Sequence, residues 1–415
     1  MWNPDLIRNA FPGMDSEWAF LDNAGGTFPA AQVVGRIQDY LSHHPVQLGA
    51  SYPLSLEASD LVNSGRLAAA RLIKAKPEEC IFGASSTTNI ALIADAQSSR
   101  WGVGDAVVIT EADHAANQTP WRRLARQGVE IRVWPIQVES CRLEIEDLIP
   151  LLQDGHVRLV AFTHASNVTG TVSDVQSIAA VVRQHGALSF VDGVAYGPHR
   201  RVDVGALGVD FYVVSLYKIF GPHLGLMYGR AELLRSLESP NHEFIPSDQL
   251  PQKFEPGNPC YELVAGVPGI LEHLTDIGEH GKLGDQSDPI SAAFEEIALY
   301  EEDLIRPLLQ FLRDRPEVRV VGEGEPDRSR RVSVVSFVVE GISSKRIVEE
   351  LERHQLAVRY GHFYAYDFVQ RMGYLQQDGV VRVSCAHTNT PAEMDRLLGA
   401  LEQLFTGDQL SIGDH

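Results

Sequence analysis

The chain has 415 residues, 44% of them hydrophobic, so it can bury a large core and is too long for one ordinary domain. Its formal net charge of −20 argues against nucleic acids and anionic membranes as partners, because both attract basic surfaces. No apolar run approaches the roughly 18 residues of a membrane span, and the first residues lack the basic and apolar parts of a signal peptide. We therefore expect a soluble, cytoplasmic protein.

Four cysteines lie far apart in the sequence and form no CxxC pair: Cys80, Cys141, Cys260 and Cys385. This spacing indicates neither a disulfide framework nor a zinc site. We expect no bound metal.

The first motif in the chain is a short strand that opens into a glycine turn, Ala19 to Gly26. The requirements of a tight turn are enough to explain its two glycines. Two stretches of helical periodicity follow, over Ala30–Leu41 and Leu54–Ile73, and Pro77 stops the second.

A cluster of hydroxyl residues precedes the next predicted helix, the apolar run Ile90–Ala96. The cluster contains Ser86, Thr87 and Thr88. Such residues ordinarily serve as helix N-caps. A helix N-terminus with free amides and several hydroxyls is also a binding site for a phosphate dianion. The residues alone leave both interpretations open.

Two predicted strands are each followed by a polar side chain. His114 follows the strand Ala106–Thr110, and Asn167 follows the strand Val157–Thr163. A single histidine is more often structural than catalytic, and a single asparagine is common in turns. In a binding site, however, an imidazole can relay protons near neutral pH.

Two further strands, Ala187–Val191 and Phe211–Ser215, lead to Asp192 and Lys218. Both are short apolar runs, as in the buried strands of a parallel sheet, and ligands bind at the carboxyl ends of such strands. A lone lysine or aspartate is usually a surface or capping residue. The pair is different, because a lysine amine forms Schiff bases with carbonyl compounds and a carboxylate is the partner of the ring nitrogen of pyridoxal phosphate.

The segment from Ser189 to Gly225, read SFVDGVAYGPHRRVDVGALGVDFYVVSLYKIFGPHLG, resembles the class V aminotransferase family, in particular its cysteine desulfurase-like members. The resemblance runs from about Ala19 to about Leu404. It implies an α/β protein, a fold type I enzyme dependent on pyridoxal 5'-phosphate. The large domain, residues 19–290, would contain a mostly parallel, seven-stranded sheet, and a smaller α+β domain would combine residues 1–18 with residues 291–415.

The resemblance also implies a role for each residue around the cofactor. Lys218 would hold the aldehyde, Asp192 would bind the ring nitrogen, and His114 would stack on the ring and act in catalysis. Asn167 would contact the phenolic oxygen. The phosphate would be bound by hydroxyl and amide side chains: Ser86, Thr87, Thr88, Ser215, Tyr217 and, from the neighbouring subunit of a homodimer with composite sites, Asn258. Two departures are that Ala195 stands where many members have glutamine, and Tyr217 where many have histidine.

On the substrate side, the resemblance singles out Arg382, which lies in the apolar strand Val380–Ser384 and would bind the α-carboxylate of an amino acid. A planar guanidinium suits that group. The other substrate-binding candidates implied by the resemblance are Asn23, Ala24, Gly25, Arg359 and Tyr364.

The loop Arg359–Ala365 has the Arg-x-Gly-His frame of the desulfurases, whose next motif residue is the cysteine that accepts sulfur as a persulfide. Tyr364 occupies that position here, and a phenol cannot accept sulfur. Cys260 and Cys385 remain the other thiols to consider. We therefore expect a C–S lyase that acts by β-elimination on cysteine or an S-substituted cysteine. The alternatives are a class V aminotransferase or epimerase, and a non-catalytic binding protein of the same fold.

Overall fold

The computed structural model describes residues 4–281, 283 and 287–406. The strands are β1 (Ala19–Phe20), β2 (Cys80–Gly83), β3 (Ala106–Thr110), β4 (Glu130–Trp134), β5 (Val157–Thr163), β6 (Leu188–Asp192), β7 (Phe211–Ser215), β8 (Gly225–Gly229), β9 (Val318–Val321), β10 (Val334–Val339), β11 (Leu356–Ala357), β12 (Arg359–Gly361) and β13 (Val380–Ser384).

The helices are α1 (Pro4–Arg8), α2 (Ala31–His43), α3 (Pro53–Ile73), α4 (Ser86–Ser98), α5 (Thr119–Arg123), α6 (Ile145–Leu152), α7 (Val175–Gln184), α8 (Val204–Leu207), α9 (Ala231–Ser236), α10 (Tyr261–Gly266), α11 (Pro268–His280), α12 (Pro289–Arg313), α13 (Ser344–Glu352), α14 (Tyr366–Arg371) and α15 (Pro391–Thr406). Within the described residues, none of these helices has both the length and the apolar character that a membrane span needs.

The larger sheet has seven strands in the order β2-β8-β7-β6-β5-β3-β4. Every pair from β7 to β4 is parallel, and only β8 runs antiparallel to its neighbours β7 and β2. Alternate side chains of β5 to β7 pack into separate apolar clusters, with Val160 and Val191 in one and Phe190 and Phe211 in the other. Burial on both faces explains why these strands are continuous apolar runs. The predicted fold class is confirmed.

The smaller sheet is antiparallel, in the order β12-β13-β10-β9. One of its faces packs against α12, α13 and α15 around Phe337, Leu351 and Leu401. Strand β1 pairs with β11, beside this second unit. The predicted division of the chain at residues 18 and 290 stays a prediction, and its ends at residues 1–3 and 407–415 lie outside the described residues.

The chain from residue 265 to residue 312 forms separate helices, because Pro268 and Pro289 each begin a new one. Proline is favoured in the first turn of a helix, where its missing N–H costs nothing. Residues 282 and 284–286 of this region lie outside the described part.

The fold brings the carboxyl ends of β3, β5, β6 and β7 to one edge of the larger sheet, since these strands are parallel. The segments that follow them carry His114, Asn167, Asp192 and Lys218. The sheet thus gathers residues that are about a hundred positions apart in sequence.

Candidate active site

A cavity lies at this edge of the larger sheet. Most of the cofactor-binding residues expected from the sequence line it: Ser86, Thr87, His114, Asn167, Asp192, Ser215, Tyr217 and Lys218. Ser85, Ala195 and His223 also line it, and Ser85 and His223 were not among the expected residues.

Lys218 ends a short 3-10 turn that follows β7, and the turn is closed by the N–H of Ile219, which donates to Leu216 O at 2.8 Å. Among the described residues, none forms a hydrogen bond with its Nζ. Burial, and then the charge of Arg382, lower the pKa of Lys218 to about 8. A neutral amine is therefore available near neutral pH, as a nucleophile or base requires.

Asp192 is the last residue of β6 and is buried. Its Oδ1 accepts the N–H of Val194 at 2.9 Å, and burial raises its pKa to about 6, against the opposing effects of that N–H and of Lys218. Oδ2 accepts no hydrogen bond from any described residue and remains available to a ligand. The next residue must be small, because a Cβ on Gly193 would lie 2.1 Å from the Tyr212 hydroxyl.

His114 lies in the turn after β3, where its Nδ1 accepts the N–H of Ala116 at 3.0 Å. Nε2 therefore carries the proton of the neutral ring. Burial, followed by the charges of Lys218 and Arg382, lowers the pKa of His114 to about 4. The imidazole is consequently uncharged near neutral pH. Such a ring can stack on a flat heterocycle.

The turn that carries His114 is held by Asp113, which the sequence analysis missed. Its buried carboxylate accepts the Asn117 amide at 2.8 Å and also the Thr110 hydroxyl. Burial raises the pKa of Asp113 to about 7. The acidic residue before the histidine was a visible signal, but only the tertiary structure shows that its side chain turns inward.

The hydroxyl cluster lies at the N-terminus of α4, capped by Ser85, whose Oγ accepts the N–H of Thr88 at 3.1 Å. The Thr88 hydroxyl pairs with the same Oγ at 2.9 Å, so the structure does not bring Thr88 to the cavity, contrary to expectation. Ser86 and Ser215 bond through their hydroxyls at 2.6 Å. Gly225 lets β8 approach this turn, because a Cβ there would lie 2.4 Å from the Ser85 carbonyl carbon.

Arg382 is only 2% exposed and forms an ion pair with Asp22 at 2.8 Å. Its Nη1 donates to Asn167 O at 3.1 Å, and its guanidinium lies 3.9 Å from the centre of the Phe363 ring. Its Nε has no partner among the described residues. Arg359, its partner in the sheet register, lies 3.5 Å from the same Asp22 and is more than half exposed. Asp22, which the sequence analysis did not select, therefore faces two arginines.

The glycine turn after β1 lies close to this arginine pair. The side chain of Asn23, however, points away from the two arginines. Asn23 is buried, and its Nδ2 donates to Phe20 O and Ser384 O at 3.1 and 3.0 Å. The backbone N–H of Ala24 donates to Ser384 Oγ at 2.9 Å. A Cβ on Gly25 would lie 3.4 Å from Arg359 Nη1. The structure thus brings Gly25 to the arginines and turns Asn23 inward.

The loop between β12 and α14 is bonded to the turns that line the cavity. Asn167 Nδ2 donates to Phe363 O at 2.9 Å, and Ala115 N donates to Tyr364 O at 2.8 Å. The Tyr364 ring is 66% exposed and lies 5.2 Å, between ring centres, from that of His114. Phe363 and Tyr364 both have positive φ angles, of 49° and 60°. Tyr364 is therefore fixed beside the imidazole.

No cysteine lines the cavity, and all four lie within the described residues. Three are buried elsewhere, and Cys260 is exposed before α10. Burial and Glu262 raise the pKa of Cys260 to about 11, so it is a thiol rather than a thiolate at neutral pH.

Asn258 lies away from the cavity of its own chain, exposed in the loop before α10 with a φ of 66°. The base of this loop is anchored by two buried charged residues. Lys253 Nζ donates to three backbone carbonyls near the end of α9, and Glu255 accepts both guanidinium nitrogens of Arg66 at 2.9 and 2.8 Å.

These side chains fit pyridoxal phosphate. The amine of Lys218 is unpartnered, one oxygen of Asp192 is open to a ring N–H, and the His114 ring is neutral. Hydroxyls also stand at the start of α4, a thirteen-residue helix that favours anions. A lysine, a carboxylate and a phosphate-binding helix terminus in one cavity define an enzyme that uses this cofactor.

The chain belongs to the class V aminotransferase family, since the family model described as aminotransferase class-V matches residues 19–397. It is 38% identical over 407 residues to the aminotransferase-like protein FGM3 of Gibberella zeae, covering 96% of this chain and 98% of that protein. It is 31% identical over 421 residues to a cysteine desulfurase of Klebsiella pneumoniae, with coverages of 96% and 98%. The apo cysteine desulfurase from Thermococcus onnurineus NA1 matches its fold with a TM-score of 0.86 at 25% identity, covering 97% and 98% of the two chains.

The predicted family, fold type and cofactor are thus confirmed: the protein is a cysteine desulfurase-like enzyme that depends on pyridoxal 5'-phosphate. The roles predicted for individual residues stay predictions.

Proposed function

We propose that the protein cleaves the C–S bond of cysteine or an S-substituted cysteine by β-elimination, without a protein persulfide. The observation that carries the proposal is the absence of any thiol from the cavity lining in the described structure, with Tyr364 beside His114 where a sulfur acceptor would be needed. The products would be pyruvate, ammonia, and sulfide or a thiol.

Each step can be assigned to a side chain at the cavity. When bound, pyridoxal phosphate stabilises negative charge at the substrate Cα. Lys218 would hold the cofactor aldehyde and, once released by the substrate, would take the Cα proton on Nζ, for which a pKa of about 8 is suitable. Asp192 would keep the ring nitrogen protonated, and His114 would stack on the ring.

The substrate would be oriented by Arg382. Asp22 and Asn167 O keep its guanidinium plane fixed, and a planar guanidinium suits the α-carboxylate. The loop that carries Phe363 and Tyr364 is held beside the cavity, because its backbone is bonded to the His114 and Asn167 turns.

We further propose a cytoplasmic homodimer with composite sites, in which Asn258 contacts the phosphate bound by the other subunit. The loop supports this, because its base is anchored and its tip is exposed. Exposed apolar side chains on the consecutive helices α2 and α3 support an interface: Val34, Leu41, Leu54, Leu56 and Leu67. Four free thiols fit a reducing compartment.

Transamination or epimerisation of an acidic amino acid is the second candidate. It is favoured by Arg359, which shares Asp22 with Arg382 and is more than half exposed. A substrate with a second carboxylate could pair with this guanidinium.

The test is a substrate panel of cysteine, cystine, cysteine S-conjugates, alanine and aspartate, with pyruvate, sulfide and alanine each quantified. We expect pyruvate and sulfide in equal amounts from cysteine, with no requirement for a keto acid. The Lys218→Ala variant is the control for uncatalysed release.

Three other outcomes would contradict the proposal. Alanine in place of pyruvate would indicate desulfuration. A requirement for a keto-acid acceptor, or turnover of aspartate alone, would indicate the second candidate. A cofactor absorbance that no amino acid changes would indicate a non-catalytic binding protein.

A further inference from the structure

We propose that His223 binds the phosphate group of pyridoxal phosphate through an imidazole N–H. The inference deepens the cofactor site on which the proposed function rests. It gives a role in phosphate binding to a residue five positions after Lys218, which was not among those selected from the sequence.

The position of His223 is set by the turn that also positions Lys218. The N–H of Leu216 donates to Leu224 O at 2.9 Å, so the segment between them doubles back on itself. The His223 ring stacks on that of Tyr217, with ring centres 4.4 Å apart and planes 6° from parallel. Both rings line the cavity together with the hydroxyl turn of Ser85, Ser86 and Thr87. The imidazole is therefore held at the phosphate end of the cavity.

The two nitrogens of His223 are free. Neither nitrogen forms a hydrogen bond with any residue in the described part of the chain. The His223 side chain is exposed to the cavity and to solvent. In contrast, His114 accepts an N–H on Nδ1, and His164 bonds the Tyr212 hydroxyl at 2.7 Å. An imidazole carries at least one N–H donor in either protonation state. His223 thus has a donor to offer and no protein acceptor for it.

The charge balance of the cavity also favours this role. Among the described residues that line it, the basic side chains are those of His114, Lys218 and His223. Lys218 is used by the cofactor aldehyde, and His114 is uncharged with a pKa near 4. His223 is then the basic side chain left to face a phosphate dianion beside the N-terminus of α4.

The experiment compares two probes that differ only in the phosphate. Full-length protein is depleted of cofactor by dialysis and titrated with pyridoxal phosphate or with pyridoxal, and binding is followed by absorbance and tryptophan fluorescence. The variant His223→Phe keeps a ring to stack on Tyr217 but removes both nitrogens. We expect its dissociation constant for pyridoxal phosphate to rise about tenfold, with that for pyridoxal unchanged. His223→Gln, which keeps an N–H donor, should lose less affinity.

His242 provides the matched control, because it is another imidazole stacked on an aromatic ring, that of Phe244, outside the cavity lining. His242→Phe should leave both affinities unchanged. Equal losses for pyridoxal and its phosphate in His223→Phe would show that the residue acts by packing, and no loss for either would also overturn the proposal. If the unmodified protein binds neither probe, the proposed function fails instead.

Discussion

Lys218 is half-buried and Lys253 is buried, and the two side-chain amines differ in their hydrogen bonds. Lys253 is fully buried, and its Nζ donates to the carbonyls of Leu234, Arg235 and Leu237 at 2.9, 3.1 and 2.6 Å. These groups lie at the end of α9, which needs donors for its last carbonyls. Lys218 has no such partner among the described residues. Burial lowers the pKa of both lysines, and that of Lys218 falls to about 8.

The comparison separates a structural charge from a reactive one. A buried ammonium that is fully hydrogen-bonded stays charged and stabilises the fold. A buried ammonium without partners gives up its proton more easily and can attack a carbonyl carbon or remove a proton. The same residue type therefore serves stability at one position and chemistry at the other, and the hydrogen bonds decide which.

Replacing each lysine by methionine should separate these two roles. The largest effect is expected on the activity of the Lys218→Met variant. Lys218→Met should lower turnover by about 10³-fold or more and abolish the cofactor absorbance of the aldehyde-bound form. Its melting temperature without cofactor should not fall, because an unpartnered buried amine is replaced by an apolar chain of similar length.

Lys253→Met should lower the stability of the protein and leave the cofactor absorbance intact. Three carbonyls lose their donor, so we expect destabilisation of about 3 kcal/mol, seen as a lower melting temperature. Cofactor absorbance should persist at temperatures where the variant is folded. The comparison fails if Lys253→Met abolishes the absorbance in folded protein, or if Lys218→Met unfolds.

The next largest effect is expected at Arg382. Arg382→Lys removes the planar fork that binds Asp22 and Asn167 O and that is proposed to bind the substrate, so KM for the amino acid should rise about ten- to a hundredfold. Arg359→Lys should change KM for cysteine less, because that side chain is more than half exposed. Steady-state kinetics of both variants would test this, and a larger effect at Arg359 would contradict the assignment of Arg382 to the α-carboxylate.

The lowered pKa of Lys218 predicts how cofactor uptake depends on pH. Only the neutral amine reacts with the aldehyde. The uptake rate of cofactor-free protein should therefore increase about tenfold per pH unit below pH 8 and level off above it. Arg382→Met removes a nearby positive charge and should move this midpoint to higher pH. Stopped-flow absorbance would measure both, and a rate that keeps rising to pH 10 in the unmodified protein would show that the amine is not perturbed.

The smallest effect is expected in the hydroxyl turn, where the side chains of two adjacent threonines point in different directions. Thr87 lines the cavity, whereas the Thr88 hydroxyl bonds Ser85. Thr87→Val should weaken pyridoxal phosphate binding about three- to tenfold. Thr88→Val should leave it nearly unchanged. Equal effects in a titration would mean that the turn rearranges when the cofactor binds.

Much of the scaffold was predictable from the sequence. The strands predicted over Ala106–Thr110, Val157–Thr163, Phe211–Ser215 and Val380–Ser384 have those same bounds in the structure. Each is rich in apolar residues, because each is largely buried, and a polar or turn residue follows soon after the apolar positions. The motif residues that follow the strands were found for the same reason.

Other features could not be predicted, because they depend on side-chain direction. The sequence could not show that Asn23 turns inward to Ser384 O, or that Ser85 rather than Thr88 lines the cavity. The pairing of Asp22 with Arg382 joins residues 360 positions apart. Such contacts follow from how the two sheets meet, and no local pattern encodes them.

By itself, the sequence determined several of the buried strands and helices and the residue types at the strand ends, since local apolar periodicity and turn chemistry are written in consecutive residues. Tertiary structure alone decided the chemical state of those residues. Burial and neighbouring charges, which come from distant parts of the chain, lower the pKa values of Lys218 and His114. The fold of the turn after β7 stacks His223 on Tyr217.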